Sequence, residues 1–292
     1  MRTLSRVVLT VYLAFPALAA QSPGPEGAAT VLAAAREAMG GEKKLAAIKT
    51  LTATGRTRQV RGDNLVPIEF EIAMELPDKY IRKDEIPAQE SDPTTVGFNG
   101  DALIQLPIQA PPPQRAGGPP APTEAQLEAG RQARLANVRQ DFGRLTLGMF
   151  ATSFAGAPLT FSYFGKAEAP QGKADVLDFK GAGNLSGRLF INAETHLPIM
   201  VTWQAPTPSQ RGRGPATGGA PASPPSRSDT PPASAGQAPE SRIYFADYRD
   251  VNGVQFPFRL RRAVGPDTVE ETTFDGFKIN AKIDPKRFEA RK

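Results

Sequence analysis

Residues 242–261, RIYFADYRDVNGVQFPFRLR, read as a β-hairpin, and the turn at their centre sets how the rest of the chain must be arranged. Two registers are open. A two-residue turn at Asn252-Gly253 puts Arg249 opposite Phe256 and Asp247 opposite Phe258. A type I turn over Asp250-Val251-Asn252, with Gly253 as a left-handed bulge residue, puts Tyr248 opposite Phe256, Ala246 opposite Phe258 and Tyr244 opposite Leu260. A slip of one residue exchanges the two faces of a strand, so the register that keeps one face apolar is the expected one. Asp247, Arg249, Gln255, Arg259 and Arg261 then form a charged face, and the oily face opposite requires a cover.

Segments on either side supply strands and helices for that purpose. Ile68, Phe70, Ile72, Met74 and Leu76 alternate with Glu69, Glu71, Ala73 and Glu75, the pattern of a half-buried antiparallel strand. Lys79 to Ile86 is its expected partner, and Thr94 to Leu106 a further hairpin turning at Asn99-Gly100. Strands are also expected at 159–165, 175–180, 187–192, 198–204 and near 268–280. Residues 28–39 are alanine-rich and helical, stopping at Gly40-Gly41, and Glu42 to Ile48 forms a second short helix. Thr123 and Gln126 make a capping box. Behind it Leu135, Val138, Phe142, Leu145 and Met149 recur at helical spacing, with Asp141 or Gly143 as possible breaks. No alternation of single strands and helices occurs, which argues against a parallel sheet.

The expected fold is α+β: a curved antiparallel sheet, an incomplete barrel, with helices covering its concave face. Residues 21–292 form one domain with insertions, built from an N-terminal helix and first strands (21–106), a central helix or helices (123–155), middle strands (156–204) and the C-terminal hairpin and last strand (241–292). Two pieces interrupt it. Residues 107–122 hold seven prolines and 205–240 nine, so neither suits a sheet or helix interior, and both are expected to be disordered.

Composition narrows the function classes. Residues 1–20 have the layout of a secretory leader: Arg2 and Arg6, an apolar run from Val7 to Phe15, and Ala17-Leu18-Ala19 as a cleavage site. The run is too short for a bilayer that takes about 20 residues to cross, and no later stretch of the mature chain spans one. Without Arg2 and Arg6, 33 basic side chains face 30 acidic ones, too small an excess to argue for nucleic acid. The chain has no cysteine, hence no disulfide and no attachment point for an N-terminal lipid. The expected location is the periplasm or the exterior, in soluble form.

Catalytic groups are sparse. The one histidine, His196, falls in the turn NAETHLP, which leaves no histidine cluster for a metal and gives a hydrolase only a weak footing. Glu69, Glu71 and Glu75 lie on the wet face of their strand. No cofactor motif occurs, and the chain is read as a non-enzyme. What stands out is apolar: Phe70, Ile72, Met74, Phe142, Met149, Phe161, Tyr163, Trp203, Tyr244, Tyr248, Phe256 and Phe258 are the candidates to line a cavity between sheet and helices, suited to an acyl chain. The alternative is an ordinary filled core.

Five segments carry a family resemblance: AREAMGGEKKLAAIKTLTATGR, GRLTLGMF with PLTFSYFG, LFINAETHLPIMVTW, YFADYRDVNGVQFPFRLRR and IDPKRFE. Together they resemble the outer-membrane lipoprotein-sorting, LolA-like superfamily of exported proteins. The resemblance implies an incomplete β-barrel closed by helices, and a carrier of lipid or of lipoprotein acyl chains; other members are envelope-stress sensors, which implies envelope protein partners instead. The chain departs from that pattern at His196, where such turns often have glycine, and in the insertion before the hairpin.

Overall fold

The computed structural model describes residues 24–87, 89, 91–108, 121–169, 172–204 and 239–290. The segment expected to be a leader, most of 107–122 and all but the end of 205–240 lie outside the described residues.

Among the described residues, twelve strands form one antiparallel sheet. The first run is β1 (Thr50–Arg61), β2 (Asn64–Glu75), β3 (Lys79–Glu85), β4 (Thr94–Asn99) and β5 (Ala102–Leu106). The second is β6 (Leu159–Ala169), β7 (Gly172–Gly181), β8 (Ser186–Asn192), β9 (Pro198–Gln204), β10 (Glu240–Val251), β11 (Val254–Val264) and β12 (Asp267–Ile279). Each run is a meander of neighbours, and the two join where β1 pairs with β12, leaving β5 and β6 as the sheet edges. Three helices, α1 (Pro25–Ala38), α2 (Glu42–Ala46) and α3 (Glu124–Phe150), pack on the concave side. The expected architecture is what the structure has, with α1 starting earlier than expected because Pro25 occupies its first turn.

α3 touches β4 and β5 at one end of the sheet and β9 and β11 toward the other, so a single helix spans both halves. The capping box is formed: Gln126 N donates to Thr123 Oγ1 at 3.3 Å and Thr123 N to Gln126 Oε1 at 2.8 Å. The helix then runs unbroken past Asp141 and Gly143. Its first turns are exposed, and everything from Phe142 to Phe150 is buried. Gly148 makes the close approach possible, since a Cβ there would lie 2.0 Å from Cε1 of Phe245.

The central hairpin takes the other register. Val251 pairs with Val254 and Arg249 with Phe256, so the turn is Asn252-Gly253. Both turn residues are left-handed, at φ 56° and 81°, as a type I′ turn requires. The expectation of Tyr248 opposite Phe256 assumed unbroken alternation along β10. Asp247 breaks it: its φ is 56°, so Phe245 and Tyr248, three apart, both turn toward α3. The Tyr248 hydroxyl lies 2.8 Å from the carbonyl oxygens of Gly148 and of Pro198 and donates to one at a time.

A second, smaller core lies on the convex side. The 3-10 helix Pro285–Phe288 lays Phe288 against Ala73, Ile81 and Ile104. Asp284 Oδ1 accepts from Lys286 N, and Arg287 pairs with Glu71 at 2.8 Å. Ala73, assigned by alternation to the wet face, is therefore fully buried.

The glycines of α3 offer a test of how tightly it is docked. Gly148→Ala should lower unfolding free energy by about 1–3 kcal/mol through overpacking against Phe245. Gly130→Ala, in the same helix with open space around it, should raise it by about 0.5–1 kcal/mol through backbone entropy alone. Urea denaturation of both variants checks the pair; equal effects would mean that α3 does not sit this close to β10.

Candidate ligand-binding face

The concave face is built by strand alternation beneath α3. From β2 come Phe70, Ile72 and Met74, from α3 Phe142 and Met149, and from β11 Phe256 and Phe258. All seven are buried within one core cluster. Phe161 and Tyr163 on β6 and Trp203 on β9 face the same side at the other end, Phe161 and Trp203 only partly buried. Tyr248 joins them through the turn at Asp247. Tyr244 does not: it lies between the buried Ile243 and Phe245, faces the convex side and carries the Arg261 guanidinium at 4.3 Å.

The rings form a continuous ladder. Tyr80 and Phe98 contact Phe142 at 5.4 and 5.2 Å. Phe154 bridges Phe142 and Phe150 at 6.3 and 5.3 Å, and Phe150 meets Phe256 at 5.8 Å. Phe256 stacks on Phe277 at 4.8 Å, and Phe274 links Phe277 to Phe70. Tyr80, Phe98, Phe150, Phe154, Phe274 and Phe277 were not among the sequence candidates. For Tyr80 and Phe98 the signal was present in register: Tyr80 pairs with Met74 across β2–β3 and Phe98 with Tyr80 across β3–β4, so they share the face of Met74.

A charged belt borders the ladder. Arg82 pairs with Ile72 and Asp84 with Phe70, so both charges stand on the apolar side of β3, where Arg82 Nε donates to Asp84 at 2.7 Å. Arg82 also lies 4.6 Å over the Phe70 ring. From α3, Arg144 donates to Asp141 at 3.2 Å and to Gln140 at 3.1 Å, and its guanidinium lies 4.3 Å over Trp203. Arg262 of β11 reaches Asp141 at 3.6 Å and Glu270 of β12 at 3.5 Å. Thr57 and Thr272 close the floor with a buried hydroxyl pair at 2.9 Å.

The belt and the burial move ionisations. Burial pushes the Tyr80 phenol up to about 12, with Arg82 opposing and Asp141 and Asp84 assisting. Burial also raises Tyr163 to about 12, helped by the hydrogen bond it donates to Asp175 at 3.0 Å. Tyr248 is raised well above its ordinary value by burial. For Arg82, burial pulls downward, but Asp84, Tyr80 and Glu270 more than restore it. For Arg144, burial wins: Asp141 offsets it only in part and Arg262 adds to it, so the guanidinium is held below its ordinary value.

The remaining sequence candidates stay on the surface. His196 is exposed in the β8–β9 turn at φ 56°. Glu69, Glu71 and Glu75 are on the convex face, where Glu71 meets Arg287 and Glu75 meets Lys79. Two open grooves of about 380 and 370 Å³ lie on that same convex face, walled mainly by charged side chains such as Arg56, Glu69 and Lys83 in one and Asp178, Lys180 and Arg188 in the other. Among the described residues, no group of three or more His, Cys, Asp or Glu could hold a metal ion, and no helix is long and apolar enough to cross a membrane.

No protein-family model matches the chain, and no curated protein sequence matches it. Solved structures do resemble it. A LolA superfamily protein from Nitrosomonas europaea superposes with a TM-score of 0.50 at 12% identity, over 90% of this chain and 97% of that one. An outer membrane lipoprotein-sorting protein domain from Vibrio parahaemolyticus gives 0.47 at 7% identity, over 89% and 97%. The chain has the LolA-like fold: a curved antiparallel sheet, not closed, with helices against its concave side.

Alkaline titration tests the burial of the phenols. A folded-state value above the ordinary 10 means the fold favours the neutral phenol. Its stabilisation is complete below pH 10 and is lost as pH rises through about 12. Tyrosinate absorbance at 295 nm for Tyr80, Tyr163 and Tyr248 should therefore rise together with loss of structure. Ionisation of these three near pH 10 in a protein that remains folded would contradict their placement.

Proposed function

We propose that the chain is an exported, non-enzymatic binding protein that carries an apolar molecule of acyl type along the ring ladder of its concave face. The observation that carries this reading is the nature of the cover. One helix lies over the ladder, and several of its ties to the sheet and to the strand turns are polar. Asp141 meets Arg262, Arg139 donates to Gly100 O at 2.6 Å and Asp101 at 2.8 Å, and Tyr248 donates to the α3 backbone. Water can replace such ties when a helix lifts, whereas a wholly apolar seam has to expose its full area. The fold adds support, since it is shared with a LolA superfamily protein. An acylated lipoprotein or a free lipid is then the expected cargo, and the leader at 1–20 supports a place outside the cytoplasm.

A second reading has its own observation. Ile72, Met74, Phe142, Met149 and Phe256 are each at most 1% exposed, so the ladder is filled by its own side chains in this state. On that reading the chain is an interaction module, and its proline-rich segments dock envelope partners.

A fluorescent fatty-acid titration of the purified protein separates the two. Saturable uptake near one site per chain, competed by unlabelled fatty acid, is the expected result. Native mass spectrometry and lipid extraction should recover a bound lipid from protein purified without detergent. No uptake and no recovered lipid would sink the carrier reading. The module reading would then require that shortening 205–238 abolishes partner recovery without changing the unfolding midpoint.

A further inference from the structure

The carrier reading leaves one group without a role: a cation buried beside an apolar layer and poorly neutralised there. The Arg144 side chain is 8% exposed. Two of its nitrogens have partners, Asp141 and Gln140, but its Nε is buried and has none among the described residues. Asp141 is shared with Arg262 and stands at the rim, its side chain 53% exposed. The cation is thus inside and its counter-charge outside. Arg82, by comparison, has Asp84 to itself at 2.7 Å and Thr57 Oγ1 at 3.2 Å. Replacing a buried ion pair by well-packed apolar side chains is often neutral or stabilising, so the pairing with Asp141 is a weak stability ground for an arginine here.

We propose that Arg144, with Arg262 beside it, receives the anionic head of an amphiphile, a carboxylate or a phosphate monoester, whose chain lies along the ring ladder. The proposal rests on the carrier reading and names the class of its ligand. The guanidinium offers planar, paired donors suited to either head. Head site and chain site are contiguous through β11: Arg262, which shares Asp141 with Arg144, alternates in phase with Phe256 and Phe258 and pairs with the buried Ile243, so it stands on the same face as those two ladder residues. Trp203, the one tryptophan of the chain, lies against the proposed head site and reports on it.

The test is a competition titration with hexadecanoic acid, hexadecyl phosphate and hexadecanol, whose chains match and whose heads differ. The two anions should bind about 10- to 100-fold more tightly than the alcohol, the range expected of charge-assisted hydrogen bonds. Arg144→Met should bring the acid to the affinity of the alcohol and leave the alcohol within about twofold of its original value. Arg262→Gln should weaken the acid by a smaller factor. In the unaltered protein, 2-bromohexadecanoic acid should quench Trp203 more strongly than 16-bromohexadecanoic acid, a readout that survives if Arg144→Met fails to fold. Equal affinity for acid and alcohol, or stronger quenching by the terminal bromine, overturns this proposal while leaving chain binding intact. Inorganic phosphate binding as tightly as the alkyl phosphate would assign Arg144 to a free anion and also overturn it. Binding of none of the three amphiphiles overturns the carrier reading itself.

Discussion

The pairing of β1 with β12 is the constraint on which the rest of the molecule depends. Each meander alone is a run of local hairpins, and only this ladder makes them one sheet with one concave face. It joins residues more than 200 positions apart: Asn280 Oδ1 accepts from the backbone of Lys49 and Thr50, and Thr50 donates to Ala281 O. Gly55 lets the two strands and the Phe70 ring converge, since a Cβ there would come within 2.3 Å of Thr273 O and 2.7 Å of Phe70 Cζ. Contacts so distant in sequence bear their loop-closure entropy before any apolar burial repays it. The floor of the concave face is shared between the first strand and the last, so it cannot be complete until both are in place.

Much of this was legible from side-chain alternation. The strand from Ile68 to Leu76, the apolar stripe of α3 and the position of each later strand follow from periods of two and of three to four residues. The hairpin at 242–261 shows where alternation stops being a guide. One left-handed residue, Asp247, shifts the inward set from Phe245 to Tyr248, and nothing in the letters separates that event from a different turn. Ala73 makes the same point on the other side of the sheet. Its burial depends on Phe288, more than 200 positions away, and a wet-face pattern gives no sign of it.

The site was half legible for a related reason. Apolar residues declare a face by their type, so Phe70, Ile72 and Met74 were found. Arg82, Asp84, Arg144 and Arg262 do not, because a charged residue on an element is read by default as solvated. Here the apolar face ends in charges that share its register, and only strand pairing puts Arg82 in phase with Ile72. Tyr244 is the converse case: an aromatic on a strand, taken for the inner face, covered instead by a guanidinium outside.

Gln204 and Glu240 are paired neighbours on β9 and β10. The sheet thus holds the two ends of the intervening segment one strand spacing apart, and asks of it only that it leave and return. A connection closed in this way is nearly indifferent to its own length, since doubling it costs about 0.6 kcal/mol of closure entropy. This seam is a place where the protein can acquire, lose or exchange sequence, even a whole additional module, while the sheet and its concave face stay as they are.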